Sequence, residues 1–585
     1  MAEKMEDRIN KKAEYIQTIR EATGWTEKEA EKHLKEAKKV GMSNKRYVTN
    51  KAWRLTIEEI ESMNNRIEAR LKEKAEFVQK VCDATGMSRE LAEEKLAEAK
   101  AIGIPLERYV ENKCWNLTAE QIKALNAHLE DMELIRQETG WDQEKIEQEF
   151  ARAAGAGITN SEFVSYAGWE FTDEELAELR ELLILKREHT RQAQEWHVNV
   201  VLEKTGWTRD YALNLMKIAS KKGYSYKAFI RRALWQKTQE EIEALPPFKR
   251  KMSETKKKSI QTKAEKAKEY RAIIMEEMGW SAGRTRLEAL RAEILCGASD
   301  AEFFLFRIYR HGIEKGREFI TAEYNARMNT RYAGWDGSYK FFENKGVFNR
   351  DFKEYIRRRW FLSKGLSFEE FEEQVAGLDK IICKPLNGIE GIGIEIFKLD
   401  GTKACRKEVY EKIRAKGDTI VEQFIKQHHE ISEFYPNSVN TMRVMSFLDH
   451  GEGKILNSVI KFGTKANVDN YYQGGIAAGI NVETGVICTD GVDYAGNVYK
   501  THPYSGKAFY GFRIPNWDKV VELIRTAATV HRESPYVGWD IAITEDGPEI
   551  VEGNHNQGAY LCQYPFAIYS MEGRRHTIDP YLWFD

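Results

Sequence analysis

Asp540, Glu552 and Asn554 lie in the run Val537-Gly-Trp-Asp-Ile-Ala-Ile-Thr-Glu-Asp-Gly-Pro-Glu-Ile-Val-Glu-Gly-Asn554. Two apolar-alternating segments flank Glu545-Asp546-Gly547, which predicts a hairpin with a three-residue loop and glycine in the left-handed position. That register opposes Asp540 to Glu552. Successive strand side chains alternate faces, so Asp540, Glu552 and Asn554 would project from one face, the opposed pair about 5 Å apart at Cβ. Two like charges so placed repel unless a cation lies between them. Two carboxylates and an amide, with room left for phosphate oxygens and water, suit Mg²⁺ carried in on a nucleotide. A solvated polar face on an ordinary hairpin is the alternative reading of this run alone.

Upstream, Lys380-Ile-Ile-Cys-Lys384-Pro-Leu-Asn-Gly388-Ile-Glu-Gly391-Ile-Gly393-Ile-Glu-Ile-Phe397 puts Lys384 at the end of a buried strand. A glycine-rich turn and a second alternating strand follow. Glycines let backbone amides approach phosphate oxygens without side-chain clash, and the strand lysine adds a point charge to the same group. P-loops and dinucleotide sites open a helix at this point, so both are disfavoured. A hairpin flap over a triphosphate fits better. Thr419-Ile-Val-Glu422-Gln423-Phe-Ile425 follows as a strand of apolar residues broken by a polar pair.

These segments need a scaffold, and 585 residues allow about four domains, each with its own core. Lys and Arg total 90 against 92 Asp and Glu, so no global charge draws the chain to nucleic acid or membrane. The seven cysteines are scattered, without a Cys-x-x-Cys pair, which argues against a disulfide framework and a structural zinc site. The charged amino terminus and the lack of a long apolar run predict no membrane span and a cytoplasmic location.

Self-similarity organises the first half. Thr23-Gly24-Trp25, Thr85-Gly86-Met87, Thr139-Gly140-Trp141, Thr205-Gly206-Trp207 and Met278-Gly279-Trp280 repeat one punctuation mark. In the first four copies a tryptophan (Trp53, Trp115, Trp169, Trp235) comes 28 residues after the third residue of the mark. Three residues on, Thr56, Thr118, Thr172 and Thr238 pair with Glu59, Gln121, Glu175 and Glu241 as capping boxes. Ala30, Leu34, Ala37 and Val40 recur at helical spacing, so each copy is expected to be a three-helix module with tryptophan in its core. Successive marks lie 62, 54, 66 and 73 residues apart, which favours beads on helical connectors over a strict solenoid. The expected division is modules at 1–66, 67–128, 129–186 and 187–246, a basic linker at 247–268 and a degenerate fifth module at 269–320. An α+β catalytic-type domain fills 321–585, where Gly, Asn, Tyr and β-branched residues rise. Lys249 to Lys268 holds nine basic residues and two acidic ones without interleaved aromatics, which reads as a solvated linker rather than a base-stacking surface.

In order, the strand lysine, glycine flap, Val-Glu-Gln-Phe-Ile strand and paired Asp/Glu-x-Asn residues resemble the ATP-grasp enzymes. Ile425-Lys-Gln-His428-His429-Glu430, Pro436-Asn-Ser-Val-Asn440-Thr441-Met-Arg443-Val, Asp469-Asn470 with Gly474-Gly475, and His502-Pro503 resemble the sugar-transfer-associated branch, over about residues 325 to 570. The amino-terminal modules match no such family.

The resemblance implies ATP and Mg²⁺ as cofactors. Peptide groups at Gln423 and Ile425 would meet the adenine edge with Glu422 beside its amino group, and Lys345 and Lys384 would hold phosphates beneath the Gly388–Gly393 flap. Asp540, Glu552 and Asn554 would ligate the metal, and Arg443 would face the transferring phosphoryl group. The ribose position falls on His429, with Glu430 next to it. Lys461, Asn470, Gly474, Gly475 and His502 lie between the nucleotide motifs, where a carboxylate substrate is sought; His502 reads equally as a hydrogen-bonded structural histidine. The implied reaction is an ATP-dependent carboxylate–amine ligation through an acyl phosphate, with the modules docking a peptide or glycan partner. A helical scaffold with a vestigial nucleotide domain, or a kinase stopping at the phosphorylated product, are the alternatives.

Overall fold

The computed structural model describes residues 2–248, 254–387, 393–465 and 469–583. They form two compact units, one of residues 1–155 and 159–165, the other of residues 156–158 and 166–585. Among the described residues no helix is long and apolar enough to cross a membrane.

The first unit is helical throughout. Each module opens with a long helix ended by a glycine in the left-handed region, as at Gly86 (φ 74°), which caps Ile57–Thr85. Glycine is needed there because a Cβ would meet the preceding carbonyl. A second helix, Glu27–Lys39 or Arg89–Ala101, buries Ala30, Leu34 and Ala37, or Ala92, Leu96 and Ala99. The expected capping boxes at Thr26, Thr56 and Thr118 are all formed.

Trp235 lies in the core of the fourth module as the spacing suggested, but the tryptophans of the first unit do not fill theirs. Trp25, Trp53, Trp115 and Trp141 are only half-buried. The fully enclosed ring belongs to the residue six places before the second tryptophan: Tyr47 (0% exposed), Tyr109 (2%) and Phe163 (0%). The indole instead lids the module over a turn whose Lys51 or Lys113 sits in the left-handed region.

The second unit starts with the 33-residue helix Asp173–Thr205 and repeats the same plan, with Phe229 buried and Ala233 left-handed. Residues 254–268 of the expected basic linker are not extended. They form the first part of the helix Glu254–Met278, and residues 249–253 lie outside the described residues. The fifth copy keeps the plan with Phe303 buried, Arg307 left-handed and Tyr309 in place of the second tryptophan. Its core is continuous with the domain that follows, since Phe303, Phe306, Ile308 and Tyr309 pack with Val459, Ala477, Tyr564 and Phe566. The fourth module is tied to the same domain: Trp196 Nε1 donates to Leu582 O at 3.1 Å, and Arg331 bridges Glu203 to the Tyr581 and Trp583 carbonyls.

Among the described residues the remainder holds eleven strands: β1 Trp360–Leu362, β2 Lys380–Pro385, β3 Glu395–Lys398, β4 Thr419–Gln423, β5 Met442–Asp449, β6 Glu452–Phe462, β7 Ile476–Ile480, β8 Gly491–Asp493, β9 Val498–Tyr499, β10 Tyr536–Thr544 and β11 Gly547–Asn554. They form two antiparallel sheets, one of four strands in the order β1-β4-β2-β3 and one of seven in the order β11-β10-β5-β6-β7-β8-β9. On β10, Val537, Trp539 and Ile541 face a core that includes Phe342, Phe348 and Phe352. The period of two sends Tyr536, Gly538 and Asp540 to the opposite face.

Candidate active site

The hairpin β10–β11 presents the carboxylates by a route the sequence does not reveal. Its loop is one residue shorter than expected, because Thr544 already pairs with Gly547 and only Glu545 and Asp546 turn. Gly547 has φ +121°, positive but wider than the left-handed helical region. The register then shifts between Asp540 and Ile541, leaving Val551 as an extra residue, a β-bulge that restores the opposition of Asp540 to Glu552.

The strand on the other side of β10 supplies the counter-charge. β5 sets Arg443 directly across from Asp540, and its Nε and Nη2 donate to the two carboxylate oxygens at 2.8 and 3.0 Å. Lys461 on β6 brings its Nζ to 3.4 Å from Asp540 and 3.8 Å from Asp469, which accepts from Thr441 N and Oγ1 at 2.8 and 2.6 Å. Burial opposes charge on Asp540, but Arg443 and Lys461 outweigh it and hold the carboxyl below its ordinary range. Burial and then the Asp540 charge push Glu552 the other way, toward the protonated form. Opposed carboxylates, one held ionised and the other pushed toward protonation, are a donor set that a divalent cation fits, since the cation relieves their repulsion. Asn554 donates through Nδ2 to Gly538 O at 3.3 Å and to Glu552 at 3.5 Å, leaving its Oδ1 as the acceptor of the set. Asp540, Glu552 and Asn554 are thus the residues that would hold Mg²⁺.

The four-stranded sheet meets this hairpin through a buried ionic junction. Arg358, two residues before β1, places its guanidinium between Glu422 on β4 (2.9 Å) and the carbonyls of Ile550 (2.8 Å) and Val551 (3.3 Å) on β11. The bulge turns two successive carbonyls toward one side chain. The Arg357 and Arg358 amides both donate to Glu549 Oε2, at 2.9 and 3.1 Å. Glu422 also accepts from Lys384 Nζ at 2.5 Å and Asn349 Nδ2 at 2.7 Å. Its carboxylate is therefore an internal anchor and does not stand free for an adenine amino group, which corrects that expectation. Burial opposes its charge, yet Arg358 and Lys384 keep it ionised.

Lys345 heads the helix Lys345–Asp351, capped by Asn344, whose Oδ1 accepts from Gly346 and Val347 N. Burial lowers the pKa of Lys345 most, Glu552 and Glu422 raise it, and Lys384 lowers it further, so Lys345 stands among the ionic groups of both sheets. Gly388 and Gly391 lie outside the described residues. Gly393 is described at φ +79°, where an added Cβ would come within 2.9 Å of Pro385 Cγ. Gln423 closes β4, its amide donating to Arg359 O at 2.8 Å, and Ile425 lies two residues beyond.

Other expected residues fall elsewhere. His429 donates its amide to Glu545 Oε1 at 2.8 Å with ring Nδ1 2.9 Å from the same oxygen, so His429 and Glu430 sit at the turn end of the hairpin. At about 3.3 Å per residue that is roughly 15 Å along β10 from Asp540, which does not support them as the ribose holders beside the phosphate lysines. Asn470, Gly474 and Gly475 form a tight turn, with Asn470 O accepting from Gly475 N at 3.1 Å and Asn470 Oδ1 from Tyr472 N at 3.0 Å. Its polar groups are spent on the turn, and Asp469 at its start is the member that reaches Lys461. His502 is fully buried, 2.9 Å from Gly463 O and packed among Phe434, Phe462 and Phe509. It is a satisfied core histidine, and burial lowers its pKa. Sequence reading missed Arg358, for which the run Arg357-Arg-Arg359 ahead of a strand was the available signal, and named Asp469 in its motif without giving it a role.

Two antiparallel sheets, one with lysines on β2 and the other with opposed carboxylates, have the layout of an ATP-grasp fold. Residues 359–568 match the family described as sugar-transfer associated ATP-grasp. Similar solved structures include the D-alanine–D-alanine ligase of Bacillus anthracis, at 14% identity over 39% of this chain and 58% of that one, TM-score 0.22. The ATP-grasp ligase PsnB, complexed with a phosphomimetic variant of minimal precursor, Mg and ADP, is 14% identical over 46% and 68%, TM-score 0.25. An L-amino acid ligase from Bacillus licheniformis is 12% identical over 39% and 44%, TM-score 0.25. The chain thus spans less than two thirds of the first and third of these. No curated protein matches it.

Proposed function

We propose that this protein is an ATP-dependent carboxylate–amine ligase working through an acyl phosphate. What supports the reading is that Lys384 and Arg358 share the buried Glu422 carboxylate while Arg358 also binds the Ile550 and Val551 carbonyls, the latter next to Glu552 on β11. Lys345 and Lys384 bind the triphosphate by charge, Lys384 exchanging its Glu422 partner for phosphate oxygens. Asp540, Glu552 and Asn554 would hold Mg²⁺, which would supply neutralisation of the triphosphate charge. A substrate carboxylate oxygen attacks the γ-phosphorus, the bond to the β-phosphate oxygen breaks, and ADP leaves. Two anions meet in this step, so positioning and charge neutralisation carry most of the catalysis. Arg443 and Lys461, on the same face, orient and neutralise the incoming acid. A neutral amine then attacks the acyl carbon, the carbon–oxygen bond to phosphate breaks, inorganic phosphate leaves, and the surplus proton passes to phosphate or solvent. The buried setting of the site keeps water from the acyl phosphate. The amino-terminal modules, five copies of one helical plan, serve in this reading to dock a peptide or glycan partner. The reading also holds the enzyme to be cytoplasmic, in keeping with its free cysteines.

The test supplies Mg-ATP with pools of acids and amines and follows ADP release, with hydroxylamine present to trap an acyl phosphate as hydroxamate. Acid-dependent ADP release that vanishes in Asp540→Asn supports the reading; release indifferent to that substitution overturns it.

A further inference from the structure

Gln557 is 2% exposed, yet among the described residues neither its Oε1 nor its Nε2 finds a hydrogen-bond partner. Its backbone is held tightly, with Asn325 and Asn329 Nδ2 both donating to Gln557 O at 2.8 and 2.9 Å. A buried amide with both ends unpaired costs stability, and such groups are retained where a ligand satisfies them. The fold fixes where this one lies. A Cβ built on Gly538 would come within 2.4 Å of Gln557 Oε1, so the carboxamide covers Gly538 on the face toward which that Cβ would point. By the strand period that is the Asp540 face, one repeat of about 7 Å from the carboxylate. Gly538 pairs with Asn554, whose Nδ2 donates to Gly538 O, so the free amide is also a neighbour of the third oxygen donor. Only glycine at 538 leaves space for it.

We infer that the Gln557 carboxamide is the recognition group for the amine substrate, and that this substrate carries a carbonyl or carboxylate oxygen beside its amino group, as an amino acid or a peptide amino terminus does. The inference rests on the ligase reading above. Oε1 accepts from the amine N–H and thereby turns the nitrogen lone pair away from itself, while Nε2 donates to the adjacent oxygen. A carboxamide offers one acceptor and one donor side by side, which can bridge an amine N–H and an oxygen three bonds away along N–Cα–C–O, whereas a simple alkylamine has no oxygen for the donor. The step it serves is attack on the acyl phosphate: the carbon–nitrogen bond forms, the carbon–oxygen bond to phosphate breaks, and phosphate leaves with the proton lost to it or to solvent.

The test compares the full-length protein with Gln557→Met, which fills similar volume without polar atoms. The probes are the proteinogenic amino acids and glycylglycine, with n-propylamine as control, each added with a non-hydrolysable Mg-ATP analogue and read by thermal shift and calorimetry. The expected result is a millimolar or tighter response to at least one amino acid or glycylglycine, none to n-propylamine, and a loss of tenfold or more in Gln557→Met with nucleotide affinity unchanged. Gln557→Met should also unfold at a higher temperature than the parent, as removal of an orphaned polar pair requires and removal of a structural hydrogen bond forbids. A response equal in the two proteins, a response to n-propylamine alone, or no response in either overturns the inference. Failure of the unsubstituted protein to bind the Mg-nucleotide overturns the ligase reading instead.

Discussion

The guanidinium of Arg358 and the carboxylate of Glu422 meet at 2.9 Å with only 2% and 3% of their side chains exposed, and this pair joins the four-stranded sheet to the β10–β11 hairpin. Neither residue can lose its partner cheaply, because a lone charge at such depth has no water to replace it.

Replacing Arg358 by Met should therefore lower the unfolding free energy by about 3–5 kcal/mol, since Glu422 and Glu549 both stay buried. Chemical denaturation of the full chain reads the change. A loss below about 1 kcal/mol would mean that the junction contributes little.

The same junction predicts acid sensitivity. Burial pushes the Glu422 carboxyl up, but Arg358 and Lys384 outweigh it and hold the folded-state pKa below the ordinary 4.5. A group depressed on folding stabilises above its unfolded value and gives up that contribution as pH falls toward its folded one. Stability should thus fall as pH drops below 4.5, and Glu422→Gln should flatten that fall. Melting temperatures across the acid range, with an unchanged slope in the variant, would exclude Glu422 as the source.

Asp540→Asn removes the bidentate partner of Arg443 and, in the proposed reading, one of the oxygens that would hold Mg²⁺. Acid-dependent ADP release should drop about 10²-fold or more, and the Mg²⁺ concentration for half-maximal nucleotide binding should rise. Calorimetric titration of Mg²⁺ at fixed nucleotide measures the second effect.

In the second module, Tyr109→Ala should cost about 3–5 kcal/mol as a core truncation, whereas Trp115→Ala, at a half-buried position, should cost about half as much. Urea unfolding followed by circular dichroism compares them. Equal costs would return tryptophan to the core.

His502→Asn should destabilise by about 1–3 kcal/mol through the lost bond to Gly463 O while ADP turnover stays near the parent value. Collapse of turnover in a folded variant would make His502 a site residue after all.

The local features were legible because each is set by neighbours in the chain. The capping boxes at Thr26, Thr56 and Thr118 need only a hydroxyl and a carboxylate or amide three residues apart. The opposition of Asp540 to Glu552 was legible for a reason partly wrong, since the loop is a residue shorter and the Val551 bulge makes up the difference. The tryptophans misled because regular spacing reports that a residue contacts its module, not how deeply it is enclosed. Tyr47, Tyr109 and Phe163 repeat at a spacing just as constant and hold the deeper place.

By itself the sequence determined a helical first part followed by antiparallel strands, and the opposition of Asp540 to Glu552, since periodicity, capping and turn chemistry act over a few residues. Only the tertiary structure decided that Arg358 would lock the sheets together, that Glu422 would face inward to Lys384, that His502 would be spent on a backbone carbonyl, and that Gln557 would be buried without a partner over Gly538. Each of those outcomes depends on segments tens to hundreds of residues apart meeting in a medium from which water is excluded, and there a charge or an amide takes its meaning from whatever the fold brings alongside it.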